Sequence, residues 1–324
     1  RTMMKAMVYD RYGSLDVLSL REIAVPTIKA DEVLVRTRAA GIHIGDCFLM
    51  RGSPFPVRLV AGLLRPKYGV PGLDVAGTVA AVGSKVTTLK VGDEVFGSGW
   101  GTCAEYVTAK PGHLLLKPAS LSFAEAAALP TSATAALRGL RDAGQLQPGQ
   151  KVLINGASGA VGTFAVQIAK ALGGQVTGVC STRNVALVQS LGADSVIDYT
   201  QEDFTKGSAR YDLVLDNIEN HSLAACRGVL TPNGTLILNS GTEGTGMAMM
   251  GRLLKPLLLA PFVRHKLRRY VSATNQADLV TLTKLVEAGQ LKPVLSQTYP
   301  LAQTRAAFAY IESGRAQGKV VVTL

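Results

Sequence analysis

The stretch Val152-Leu-Ile-Asn-Gly156-Ala-Ser158-Gly159-Ala160-Val161-Gly162 constrains this chain more than any other. An apolar run that reads as a buried strand passes straight into three glycines spaced by three, and helix-forming sequence follows to residue 172. Glycine permits the tight turn and lets backbone N–H groups come close to a pyrophosphate, while the helix N-terminus adds its dipole. A glycine triplet alone is weak evidence. Here the helix is followed by a second strand at 175–180, so a complete strand–loop–helix–strand unit is present and dinucleotide binding is the reading. Gly156, Ser158, Gly159, Ala160 and Val161 are the candidate contacts.

The end of that second strand selects the dinucleotide. An NAD site carries Asp or Glu there for the ribose 2′-hydroxyl. This chain has Val179-Cys180-Ser181-Thr182-Arg183-Asn184, with no acid before Asp194. Ser181 and Arg183 suit a 2′-phosphate, Arg183 through charge-assisted hydrogen bonds. The bland alternative is an exposed arginine at a helix start with Ser181 as its cap. The missing acid and the added cation favour NADPH.

Around this unit the chain changes texture. Before residue 120, short strands are expected at 5–9, 33–40, 75–82, 94–96 and 104–108, between turn signals such as Gly13, Pro26, Pro54 and Pro71. A helix is expected near 46–51. Ser122-Phe-Ala-Glu125 is a capping box, and from there helices and strands alternate, which implies a parallel sheet. The last elements, a helix at 276–288, a strand at 293–299, a helix at 301–313 and a strand at 319–323, are too few for a domain and are expected to return to the β-rich part. The expected organisation is α/β: residues 1–122 the first part of a β-rich catalytic domain, 123–272 a doubly wound nucleotide-binding domain, and 273–324 the returning segment.

With the loop placed after a β-rich half, the chain resembles the medium-chain dehydrogenase/reductase superfamily, and most of all its zinc-free quinone oxidoreductase branch. The resemblance rests on Ala40-Gly-Ile-His43-Ile-Gly-Asp46, Pro71-Gly-Leu-Asp-Val-Ala-Gly77, Val91-Gly-Asp-Glu-Val95, the glycine loop, Leu191-Gly-Ala-Asp194 and Gly318-Lys319-Val320, and it spans nearly the whole chain. It implies a GroES-like catalytic domain built from both chain ends, a Rossmann domain between them, a cofactor in the cleft and often a homodimer. Zinc alcohol dehydrogenases carry Cys where this chain has His43, and Gly-His-Glu where it has Gly72-Leu73-Asp74. They place a further ligand around 130–132, where neither Cys nor His occurs here. Catalytic zinc needs three protein ligands, so zinc catalysis is rejected, and reduction of quinones or activated C=C bonds is expected instead.

The resemblance also assigns candidate roles. His43, where zinc-free relatives usually carry Asn, either donates to developing oxyanion charge or orients a loop. Asp46 serves a helix start or the cofactor in equal measure. Tyr68 is a candidate phenol donor, the alternative being a surface aromatic. Thr131 and Thr134 fall in the helix that passes the nicotinamide in relatives; the alternative is a hydroxyl bonded to its own helix. Tyr199, after Val196-Ile-Asp198, matches a position that often meets the adenosine part in relatives; Asn217 and Ser240 end later strands on the ligand edge, and Lys319 follows a glycine at the terminal strand. Cys47 and Cys103 read as packing residues.

Charge and cysteine content complete the expectation. Lys and Arg exceed Asp and Glu to give a net +11, which suits a phosphorylated ligand but also nucleic acid or anionic lipid. A basic cluster lies at Arg264, Lys266, Arg268 and Arg269, after a Met- and Leu-rich run whose apolar stretch 253–263 is broken by Lys255, Pro256 and Pro261. Four cysteines dozens of residues apart make neither a zinc knuckle nor a disulfide scaffold. With no apolar signal core in Arg1-Thr2-Met3-Met4, a cytoplasmic setting is expected. The expected function is metal-independent, NADPH-dependent hydride transfer to quinones or α,β-unsaturated carbonyls. Ranked below it are a cofactor-binding protein acting through RNA or membrane with little turnover and, last, a zinc alcohol dehydrogenase.

Overall fold

The computed structural model describes residues 1–239 and 247–324. They form two compact units: Arg1–Thr134 with Ala273–Glu287 and Pro293–Leu324, and Ala135–Ser272 with Ala288–Lys292. The division falls inside the helix Pro130–Arg138, twelve residues beyond the change of sequence texture at Ser122. The reason is packing. Ser122 and Glu125 do form the capping box that opens the helix Phe123–Ala127, but this helix lies on the strands Val33–Ile42 and Asp74–Val82 of the first unit. A Cβ at Gly41 would stand 2.1 Å from the Ala127 carbonyl, so the contact is backbone to backbone. A helix-start signal marks a local event and carries no information about which sheet the helix covers.

Among the described residues, the second unit contains a six-stranded, wholly parallel sheet. Its order is Ser195–Asp198, Gln175–Cys180, Lys151–Asn155, Tyr211–Asp216, Leu230–Leu238 and Lys266–Arg269. In chain sequence that is third, second, first, fourth, fifth, sixth, the doubly wound order with its switch point between the first and fourth strands. Val152, Leu153 and Ile154 are fully buried, as are Val214 and Leu215, as expected for strands covered on both faces. The sixth strand is unexpected from sequence. Of Lys266-Leu-Arg-Arg269 only Leu267 is buried, too little apolar signal to betray a strand, and cations suit an edge. The helix Met247–Leu259 runs through Pro256 rather than breaking at it; Pro256 is buried, so packing offsets the lost N–H bond.

The first unit holds a mostly antiparallel sheet ordered Leu295–Pro300, Lys319–Thr323, Val33–Ile42, Asp74–Val82, Glu94–Ser98 and Leu114–Leu116, with Tyr106–Ala109 also on Val33–Ile42. The terminal strand pairs antiparallel with the first part of the chain, Val320 opposite Ile42 and Val322 opposite Ala40. Val33, Val35, Val75, Val79, Val95 and Val107 fill its interior. Met50, Phe308 and Val320 build a second core on which the helix Ile44–Arg51 rests.

Within the phosphate-loop unit, a Cβ at Gly162 would lie 1.9 Å from the Gly156 carbonyl. Alanine would favour the helix Ala160–Ala171 by up to about 1 kcal/mol, but the overlap outweighs it. Gly162→Ala is expected to destabilise the protein by about 1–3 kcal/mol, read as a lowered midpoint in urea unfolding; an unchanged or raised midpoint refutes the close-approach argument.

Candidate active site and cofactor loop

The second unit builds a donor-lined loop. Asn155 ends the strand, Gly156 turns with φ +74°, and the Ala157 N–H donates to Val179 O at 3.0 Å, tying the loop to the neighbouring strand. Gly159 caps the helix Ala160–Ala171, so helix geometry leaves the N–H groups of Ala160, Val161 and Gly162 without intrahelical acceptors and the positive dipole end beside them. A Cβ at Gly159 would meet nothing nearer than 3.5 Å, so the space above the loop is open. Ser158 and Ser181 are joined by one side chain: Asn184 Nδ2 donates to Ser158 Oγ at 2.9 Å and to Ser181 Oγ at 3.3 Å. Arg183 stands exposed in the same turn. An acid does come near, from the next strand rather than this one. Asp198 accepts the Thr182 hydroxyl and the Thr200 N–H and hydroxyl, and these bonds, that from Thr182 foremost, hold its carboxyl below the usual range. Tyr199 is 61% exposed, with its N–H on Cys180 O.

At the switch point, Asn155 Nδ2 donates to Asp216 Oδ1 at 2.9 Å and to Asn220 Oδ1 at 3.0 Å. Asn217 donates to Asn155 O at 3.1 Å and accepts from Asn239 at 2.9 Å, so it serves the strand ends. Glu219 turns the chain at φ +57° and is buried against Arg269, 2.6 Å away. One cation of the basic 264–269 cluster is therefore neutralised within the unit. Ser240 lies outside the described residues.

The first unit gathers four ionisable side chains under cover. The His43 N–H donates to Asp46 Oδ2 at 2.9 Å, capping the helix Ile44–Arg51. His43 Nε2 and Asp46 Oδ1 are covered yet have no hydrogen-bond partner. Asp74 is fully buried and accepts the Thr131 N–H at 3.0 Å and hydroxyl at 2.5 Å. Lys319, also fully buried, donates to Ile42 O at 3.1 Å and Ser132 Oγ at 3.0 Å. Burial is the largest influence on how each of them titrates. It pushes His43 down to about 4, with Asp74 opposing and Lys319 assisting. It pushes Asp46 up to about 7 against the His43 N–H and Lys319, raises Asp74 and lowers Lys319. Thr134 Oγ1 is buried without a partner. Tyr68 stacks on Trp100 at 4.2 Å between ring centroids, and the two rings line a small recess with Asp46, Tyr9, Leu49 and Leu73.

Among the described residues no group of three or more His, Cys, Asp or Glu is arranged to hold a metal ion. Burial raises the Cys47 and Cys103 thiols, keeping them from thiolate form. Residues 29–138 match the alcohol dehydrogenase GroES-like domain and residues 191–322 the zinc-binding dehydrogenase domain. The 2-methylene-furan-3-one reductase of Solanum lycopersicum is 36% identical over 98% of this chain and 79% of its own length. The NADPH-dependent alkenal/one oxidoreductase of Arabidopsis thaliana is 34% identical over the same shares. The quinone oxidoreductase structure from Coxiella burnetii superposes with a TM-score of 0.86 at 30% identity, covering all of both chains. The chain belongs to the medium-chain dehydrogenase/reductase superfamily, in its quinone-oxidoreductase-like branch.

In this superfamily member the sequence-predicted residues fall into two groups. Gly156, Ser158, Gly159, Ala160, Val161, Ser181 and Arg183 come together around the loop of the second unit. His43, Asp46 and Tyr68 sit near one another in the first unit. Thr131 and Lys319 are engaged inside that unit, by Asp74 and by Ser132 and Ile42, while Thr134 is left with an open hydroxyl. Trp100, Ser132, Asn155, Asn184 and the Glu219–Arg269 pair were not singled out from sequence. A polar residue closing an apolar strand marked Asn155; nothing local marked the others, each of which has a partner between 26 and 187 residues away.

Burial of His43 carries a pH signature. Between pH 6.5 and about 4 the unfolded chain binds a proton that the folded chain refuses, so stability is lost as pH falls through that window. Asp46 acts oppositely: from 3.8 to about 7 the folded chain holds a proton the unfolded one releases, so its contribution declines as pH rises. His43→Gln is expected to flatten the loss of urea midpoint on the acid side; an acid limb as steep as that of the parent would show His43 to be free to protonate.

Proposed function

We propose that the chain transfers hydride from NADPH to quinones or α,β-unsaturated carbonyls, without a metal. The observation that carries this is the donor set formed by Ser158 of the loop with Ser181 and Arg183 after the second strand, beside an anion-binding helix start, on a family background whose relatives are named as 2-methylene-furan-3-one, alkenal/one and quinone reductases or oxidoreductases. NADPH, when bound, supplies the hydride. Ser158, Ser181 and Arg183 hold its 2′-phosphate, and the N–H groups of Ala160 and Val161 its pyrophosphate. Thr134, whose buried hydroxyl has no hydrogen-bond partner, is kept as a candidate cofactor contact on the family resemblance alone.

In the first unit, His43 is neutral at pH 7 and donates a hydrogen bond to negative charge developing on the substrate oxygen, a term worth several kcal/mol in a dry site. Asp46 keeps a proton into the neutral range and Tyr68 presents a phenol beside it. We further propose a homodimer in the cytoplasm. In keeping with a reducing compartment, all four cysteines are free and buried. No described helix is long and apolar enough to cross a membrane. A second reading, binding to an anionic membrane surface, is favoured by Leu257, Leu258 and Phe262, which are 61–84% exposed in a stretch without acids; salt-sensitive co-sedimentation with anionic vesicles and no turnover would support it.

The deciding measurement is NADPH oxidation by chelator-treated protein with an ortho-quinone and a linear enone, NADH serving as control. Turnover with NADPH, little with NADH and no response to chelation are expected. His43→Ala is expected to lower kcat about a hundredfold with little change in the KM for NADPH. Absence of turnover across a panel of quinones and enones would sink the proposal.

A further inference from the structure

The side chain of Asn184 has a role that neither its turn nor its helix explains. It is only 6% exposed, although it stands in an exposed turn, Thr182–Asn184. It precedes the helix Val185–Ser190 but makes no side-chain cap bond to it. Instead it reaches back 26 residues to Ser158 in the phosphate loop, at 2.9 Å, and three residues to Ser181, at 3.3 Å. Both serines are on the candidate 2′-phosphate surface.

The direction of these bonds matters. A hydroxyl has one proton and two lone pairs. In both contacts the Asn184 amide donates and the serine oxygen accepts, so neither serine spends its proton on Asn184. Among the described residues, neither hydroxyl donates to another protein group. Each proton is thus available to an acceptor outside the protein, and donation into each oxygen makes its own O–H a better donor. A phosphate monoester dianion has only acceptors to offer, so two hydroxyls fixed as donors match it. A ribose 2′-hydroxyl brings a proton of its own and needs only one such partner. The same amide also sets the spacing between loop and strand end.

We propose that Asn184 is the positioning residue for cofactor choice: by donating to Ser158 and Ser181 it aims both hydroxyl protons at the 2′-phosphate. The inference rests on the reading of NADPH as the cofactor, and it adds a residue that does not itself carry the phosphate contact.

Equilibrium binding, followed by nicotinamide fluorescence without substrate, tests it. Asn184→Ala is expected to weaken NADPH binding about tenfold and to change NADH binding less than twofold. In a Ser158→Ala/Ser181→Ala background the same change should cost nothing further. Asn184→Asp, close in size, accepts the serine protons instead of donating, and is expected to abolish the preference for NADPH; it also serves if the alanine variant does not fold. Equal weakening of both cofactors by Asn184→Ala, or an undiminished effect without the serines, overturns the proposal. So does an unchanged NADPH preference in both Asn184 variants, which would leave the NADPH reading standing. Parent protein that binds NADH as tightly as NADPH would instead refute the NADPH reading itself.

Discussion

The approach of Gly162 to the Gly156 carbonyl is the contact on which the nucleotide-binding unit turns. Only hydrogen fits there: a Cβ would sit at 1.9 Å. Because the helix start can press onto the strand end, the first-turn N–H groups stand over the loop with their dipole, and the loop is short enough to place Ser158 beside the second strand. Every later feature of the cofactor surface follows from that placement, including the reach of Asn184 to both serines and the room above Gly159.

The first unit depends on a different bargain. Asp74, Lys319, His43 and Asp46 are withdrawn from water, which is unfavourable for every charge among them. Asp74 is compensated by Thr131, and Lys319 by Ser132 and Ile42. Within the first unit these bonds tie the terminal strand and the strands Val33–Ile42 and Asp74–Val82 to Thr131 and Ser132. His43 Nε2 and Asp46 Oδ1 receive no such compensation. Polar atoms are seldom left so without reason, and Asp46 lines the recess under Tyr68 and Trp100. The compensated pairs hold this part of the fold, and the uncompensated atoms are left without a hydrogen-bond partner in the protein.

Much of this was legible in the chain because the signals were local. The terminal strand Lys319–Thr323 and the second strand Gln175–Cys180 begin and end where their apolar patterns do, and the capping box at Ser122 formed as written. Elements with one buried residue were not legible: Lys266–Arg269 became a strand on the strength of Leu267 and a neighbouring edge. The limit of the first unit at Thr134 was equally hidden, since helix propensity does not say which sheet a helix will cover.

By itself, then, the sequence determined the strand–loop–helix unit and the absence of an acid at the end of its second strand, because each depends on residue type and near spacing. Tertiary structure alone decided how those residues are used. It turned Lys319 and Thr131 inward to hold buried partners, left Thr134, His43 and Asp46 with open polar atoms, and brought Asn184 under two serines. Hydrogen-bond direction and burial are properties of groups that meet in space, and the residues that meet here stand as many as 277 positions apart.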